Sequence, residues 1–471
     1  MSLVPYEQLK WSDPRSSLLA GICIVTGFVN VWRFPELMAT HGGEAFLLTY
    51  VGALVCLALP VVWLQWQLGR RFKGTQVGAL VRLGQVKYFS LWQFSGGMMI
   101  LACGLTAGFY ILVSGVTLAY LLKAALGVFN QVSLASSTKV MSELQKDAPQ
   151  LIAWFAVCLV FLFLVSAKGL IRGLQRSLPL LVGALVILGI LLMGYGGLNV
   201  GWKTTWELLF LGEQSSWDDR LMLDALSQAF FSMALSTGVY FILGAYCCQE
   251  GPPLRLVGKI LLADLVTGLV ATLIVVPIVL AADLQVTGGF ALVFQTLPVA
   301  FQSLPLGQLW LALFYVLFIL VALTSLLFLL EPAVYWYQLH FRTRRRPALL
   351  VVLSGLGVFA AVLAHSMVAD DGVTVLGMPW FTFMQFAVSV VLLPLSLLFV
   401  LVLMGYVLPR EHLAAGIGLA VGGVYFQALY RWIRYVLVPL IFLILVYSLL
   451  GLLQYMCFLG GPYSGSICPV S

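Results

Sequence analysis

Apolar runs long enough to cross a bilayer recur from one end of this 471-residue chain to the other, and they constrain its fold more than any other feature. They fall at about 16–40, 44–69, 90–126, 150–166, 177–197, 225–247, 256–282, 307–339, 347–367, 377–408 and 430–458, about eleven in all. Stretches such as PLLVGALVILGILLMG (179–194) lack the alternation of a β-barrel strand. Lipid offers the backbone no hydrogen-bond partner, so such runs must coil into helices. Only 9% of residues are charged, against about 25% in a soluble domain, which excludes a water-soluble enzyme. The expectation is an all-α, polytopic membrane helix bundle forming a single domain over 1–471. The longer connections at 127–149, 198–224 and 283–306 are expected to hold short amphipathic helices. The first run holds Asn30 and Arg33 and has no small-residue cleavage site, so it is read as a span and not as a cleavable signal.

Charge gives an orientation. With the N-terminus placed in the cytoplasm, the connections on that side hold 19 of the 25 Lys and Arg residues. The opposite connections hold Glu143, Asp147, Glu207, Glu213, Asp218, Asp219, Asp283, Asp370 and Asp371. The net charge of +7 is therefore a positive-inside signal and not a nucleic-acid footprint. The run Arg342, Arg344, Arg345 and Arg346 reads as an anchor against anionic headgroups. The expected location is a cell inner membrane, with the C-terminus extracytoplasmic and the lipid bilayer as partner. Most cysteines sit in apolar runs, and only Cys457 and Cys468 are placed to pair on the extracytoplasmic side.

Polar residues inside apolar runs carry the chemistry. The first run contains GFVNVWRFP (27–35) and the sixth FFSMALSTG (230–238), each with glycine where a helix would otherwise continue. They fall at corresponding positions of two five-span halves, the pattern of paired discontinuous helices in secondary transporters. Asp264 lies within the seventh run and Glu331 near the end of the eighth. A mid-membrane carboxylate costs roughly 2.5–3.5 kcal/mol and requires a cation, a proton or a hydrogen-bonded partner. Thr324 and Ser325 are adjacent hydroxyls in the eighth run; either they bond back to their own helix or they help cage a hard monovalent cation.

The segments NVWRFP (30–35) and HGGEAF (41–46), with the polar eighth run, resemble the neurotransmitter:sodium symporter family from Trp11 to about residue 450. The resemblance implies a LeuT-type fold of the bacterial eleven-span type. Its 5+5 inverted repeat would have halves at about 16–197 and 225–408, with an extra helix at about 430–458. It implies two sodium sites and no organic cofactor. One site would use the Val25 carbonyl, Asn30, Ser232 and Asp264. The other would use the carbonyls of Cys23, Thr26 and Val321 with the hydroxyls of Thr324 and Ser325. An amino-acid-like substrate would meet Ile24, Val25, Val29, Thr106, Tyr110, Phe231, Ser232, Ala234, Thr237, Ser325 and Leu329. Tyr110 would meet its carboxylate and Phe231 would close over it. Gates would use Arg33 on the outside and Trp11, Tyr246 and Glu331 on the inside, with Lys10 standing for an arginine.

Departures sharpen the expectation. Asp264 stands where the family usually has Asn, and Gly268 where chloride-dependent members have a serine, so chloride is not expected to be required. Val29 replaces a glycine, Thr237 a pocket aromatic, and Gly27 the aspartate of amine transporters. The outer-gate aspartate falls at Met378, with Asp370 and Asp371 nearby as substitutes, and an inner one at Leu339. Gly169 and Pro179 resemble a family motif for local unwinding of the fifth span.

The expected function is sodium-coupled symport of a small amino acid or similar zwitterion by alternating access. One alternative is proton coupling through Asp264 on the same fold. Another is a non-transporting sensor, disfavoured because short termini leave little room for a signalling domain. An enzyme is not expected: no HExxH motif is present, and His41, His340, His365 and His412 are dispersed.

Overall fold

Among the described residues eleven spans form, two of them broken, because each apolar run coils to satisfy its own backbone. A computed structural model describes residues 10–84, 89–130, 132–210, 219–248, 253–368, 374–375 and 378–458. Nine spans are unbroken among the described residues: α2 (Gly43–Phe72), α3 (Ser90–Ala125), α4 (Ala148–Ser166), α5 (Leu170–Val200), α7 (Leu254–Leu280), α8 (Gly307–His340), α9 (Arg345–Met367), α10 (Trp380–Val407) and α11 (Val424–Gly451). Two are interrupted. The first, α1, consists of Arg15–Val25 and Phe28–Thr40, set 52° apart; α6 consists of Asp219–Ser232 and Val239–Tyr246. Shorter helices at Leu134–Gln145, Trp202–Phe210 and Gly289–Gln302 occupy the three long connections.

The breaks have local causes. In α1 the Thr26 backbone leaves the helical region (φ −77°, ψ 66°) and Gly27 is extended, so the second half restarts at Phe28. In α6 the chain between the halves contains Ala234 at φ +48° and Gly238 at φ +70°. Gly238 adopts this left-handed geometry without steric penalty, whereas a side chain there would strain the restart of the helix.

Three boundaries differ from expectation. α5 starts at Leu170 and not near 177, because Arg172 and Arg176 ride in its first turns with their side chains exposed. Gly169 at φ +91° leads into a wide π-type turn over Leu170–Gln175, and Pro179 follows inside the helix. α6 starts at Asp219 and not near 225, its first turns being polar. α11 starts at Val424 and not near 430, and the Arg434 guanidinium lies over the Tyr406 ring, which keeps a charged residue inside the helix.

Packing divides the spans into two groups. α3 packs along α8, α4 and α9, while α2 packs along the second half of α6, and α7 against both halves of α1. The α2–α6 contact is backbone to backbone: a Cβ on Gly69 would lie 1.9 Å from the Phe241 carbonyl oxygen, and one on Gly244 2.2 Å from that of Trp66. Small residues at a lipid-embedded helix interface permit such an approach, and the dispersion contact it creates binds these helices into one body. α1 lies between the groups, touching α8 as well as α7. The pairing of Cys457 with Cys468 falls outside the described residues.

Candidate functional site

The two breaks face each other and leave main-chain oxygens and amides without helical partners. Where α1 breaks, the Ser325 hydroxyl of α8 lies 3.1 Å from the Cys23 carbonyl oxygen and 3.1 Å from that of Thr26. On the adjacent residue, the Thr324 hydroxyl donates to the carbonyls of Leu320 and Val321, each at 2.9 Å. Cys23, Thr26, Val321, Thr324 and Ser325 thus gather where α1 meets α8. All five are buried.

A second polar cluster lies on the other side of α1. Asn30 donates its amide to the Val25 carbonyl at 2.9 Å and to Asp264 at 2.7 Å. Tyr50 lies 2.9 Å from the Ser232 hydroxyl and donates to the other Asp264 oxygen. Gln228 donates to the Asn30 side-chain oxygen at 3.1 Å. Val25, Asn30, Ser232 and Asp264 are therefore brought together, joined by Tyr50 and Gln228, which sequence reasoning missed. The Asp264 side chain is fully buried, and its hydrogen-bond donors are neutral.

Between the breaks lies a small cavity of ≈ 70 Å³. Ile24, Val29, Thr106, Tyr110, Phe231, Ser232, Ala234, Thr237, Ser325 and Leu329 line it, with Phe230, Leu235, Ser236 and Leu393 in addition. Val25 does not; its side chain is buried and its carbonyl serves Asn30. The Tyr110 hydroxyl sits beside the Phe28 backbone amide, one of the orphan donors where α1 restarts. A Cβ on Gly27 would come within 2.9 Å of that hydroxyl. Phe231, Val29, Thr106 and Tyr110 also line a wider vestibule of ≈ 560 Å³ beyond the cavity, with Arg33 in its wall.

Arg33 finds its acid on α6. It donates to Ser227 at 3.1 Å and pairs with Asp224 at 3.4 Å. Asp224 also meets His41 at 3.0 Å and the Tyr447 hydroxyl of α11 at 3.5 Å. Asp370 and Asp371, the expected substitutes, lie outside the described residues. A signal for Asp224 was present: Asp224, Gln228 and Ser232 are spaced i, i+4, i+8, which places three polar side chains on one face of α6.

The opposite end of the molecule is closed. Trp11 is 2% exposed, donates its backbone amide to the Tyr246 carbonyl at 2.9 Å and packs edge-on against that ring. Tyr246 donates to Glu331 at 2.8 Å. Glu331 is buried and pairs with both terminal nitrogens of Arg345, whose Nε donates to the Ser166 carbonyl at 2.7 Å. Arg345 was the residue missed here: it sits in a basic run that reads as a membrane anchor, but its side chain turns inward. Lys10 is half-buried, and Leu339 is exposed.

Comparison with known proteins gives the family. The model of the sodium:neurotransmitter symporter family matches residues 8–131 and 130–459. The chain is 27% identical over 455 residues to an uncharacterized sodium-dependent transporter, YhdH, of Bacillus subtilis, covering 95% of this chain and 99% of that one. It is 23% identical over 278 residues to the bovine sodium-dependent neutral amino acid transporter B(0)AT2, covering 50% of this chain and 36% of that one. The crystal structure of MhsT in complex with L-phenylalanine superposes with a TM-score of 0.80 at 25% identity, covering 93% of this chain and 99% of that one. Broken spans, buried oxygen clusters and family match together place this chain, a multi-pass membrane transporter of LeuT-type fold that uses sodium, in the sodium:neurotransmitter symporter family.

Proposed function

We propose that the protein carries a small neutral amino acid inward together with two sodium ions, by alternating access and without a chloride requirement. The reading takes the chain as one membrane domain in a cell inner membrane, its basic face cytoplasmic. The observation that carries it is the meeting of Ser325 with the Cys23 and Thr26 carbonyls at the α1 break. Neutral oxygens from two helices suit a hard monovalent cation, and an ion held by both helices favours the arrangement in which they are together. At the other cluster a buried carboxylate with only neutral donors has its charge balanced by a second cation.

The cavity sets the substrate. Tyr110 and the amides at the α1 break meet a carboxylate, while Ile24, Val29, Phe231 and Leu329 meet an apolar side chain and Thr106 and Thr237 add polar edges. A volume near 70 Å³ favours a compact side chain. Gly27→Ala places a methyl against the Tyr110 hydroxyl; about tenfold weaker substrate binding is expected by calorimetry, roughly 1.4 kcal/mol. Asp264 supplies the negative charge an anion would bring. A Cβ on Gly268 would lie 2.7 Å from the Phe34 ring, so an anion-binding serine does not fit there unless that ring moves.

The test is uptake of labelled neutral amino acids by proteoliposomes. External sodium in place of choline is expected to raise uptake at least tenfold, and gluconate in place of chloride to leave it unchanged. Strict chloride dependence would refute the role given to Asp264. Uptake driven by a proton gradient in choline would replace sodium coupling by proton coupling, and binding without uptake would make the protein a sensor.

A further inference from the structure

Away from the substrate cavity, on the basic face, a crevice of ≈ 590 Å³ opens between the end of α2 and the end of α8. Arg71, Lys73, Arg82 and His340 line it, with Tyr335 and Trp336, and no carboxylate is among its described lining residues. The turn that builds it is ordered by its own hydrogen bonds. Lys73 takes the left-handed conformation (φ +44°), and its amide closes α2 onto the Gly69 carbonyl at 2.8 Å. The Thr75 hydroxyl caps the following helix, Gln76–Gly84, by accepting from the Gly78 amide at 3.1 Å. Arg82 ties back to the Phe72 carbonyl at 2.9 Å, using one of its five donors.

We propose that this crevice binds a phosphate-bearing anion, drawn from a phospholipid headgroup of the adjoining leaflet or from soluble phosphate. Arg71 and Arg82 face a concave site with no carboxylate among its described lining residues, and guanidinium forks match phosphate oxygens. Trp336, stacked on His340 with ring centroids 4.9 Å apart, is a side chain suited to the headgroup layer.

The walls come from both moving parts. Arg71 and Lys73 follow α2, which is bound backbone to backbone to α6; Arg82 sits on the helix Gln76–Gly84, which packs along α3, and Tyr335, Trp336 and His340 belong to α8. Tyr335 packs edge-on against Tyr246, 5.7 Å away, the ring on which Trp11 closes. An anion spanning both walls binds the inner-closed arrangement better and shifts the population toward it. This coupling rests on the alternating-access reading; the binding does not.

The protein in nanodiscs of phosphatidylcholine, with or without phosphatidylglycerol, tests both. Native mass spectrometry is expected to show phosphatidylglycerol retained by the parent protein and lost from Arg71→Gln/Arg82→Gln. Arg172→Gln/Arg176→Gln, an equal charge change at the start of α5, keeps it. Equal loss from both double variants, or no retention by any, overturns the site unless inorganic phosphate protects it. For coupling, maleimide labelling of Cys248, with Cys56, Cys457 and Cys468 replaced by Ser, is expected to slow roughly tenfold when phosphatidylglycerol is present. The same slowing by millimolar inorganic phosphate in neutral nanodiscs, without lipid retention, assigns the soluble source. Retention with unchanged labelling overturns the coupling to the inner face. Retention in a protein that shows no sodium-driven uptake refutes the transport reading and leaves the site standing.

Discussion

Thr324→Val with Ser325→Ala is expected to abolish sodium-stimulated substrate binding, weakening apparent sodium affinity at least a hundredfold, about 2.7 kcal/mol. Valine keeps the outline of threonine and alanine removes a single oxygen, so the variant withdraws the two hydroxyls proposed as ion ligands while changing packing little. Some stability is lost as well. The Cys23 and Thr26 carbonyls at the α1 break lose the hydroxyl they now share, and an unsatisfied buried acceptor costs about 1–3 kcal/mol. Thermal unfolding without sodium separates the two effects. A modest fall in midpoint, together with loss of the further rise that sodium gives the parent protein, is the expected pattern. If the variant bound substrate with unaltered sodium dependence, the α1–α8 oxygens would not be an ion site.

Arg345→Ala is expected to have the largest effect on stability. Glu331 is 1% exposed and the Arg345 side chain 12% exposed, so removing the guanidinium leaves a carboxylate in low dielectric with Tyr246 as its remaining donor. Breaking one half of such a pair costs about 3–5 kcal/mol. The double variant Arg345→Ala/Glu331→Gln removes the orphaned charge along with its partner and is expected to recover most of the loss. Because Tyr246 also holds Trp11, the single variant should expose Cys248 to maleimide from the basic face much faster than the parent. Equal melting temperatures for the parent and Arg345→Ala would refute a structural ion pair here.

Legibility in the sequence followed local physics. The spans were readable because each apolar run must satisfy its backbone alone, and span starts were misplaced where charged residues ride in the first turns, as at Arg172 and Asp219. The breaks were readable from Gly27 and Gly238 among polar residues. At the sites, the expected oxygens came together because they lie on or beside the breaks. Their partners were harder to find. Tyr50 and Gln228 look like ordinary polar residues of apolar helices, and only the packing of α2 against α7 and of α6 against α1 turns them onto Asp264 and Asn30.

By itself the sequence determined the class of molecule and where the helices fail, since the cost of unpaired amides in lipid depends only on the local chain. The tertiary structure decided the pairings between distant charges. Arg33 meets Asp224, 191 positions away, and Glu331 meets an arginine from a run that reads as a surface anchor. A buried charge takes the counter-charge that helix packing places within reach, and spacing along the chain carries no record of that distance.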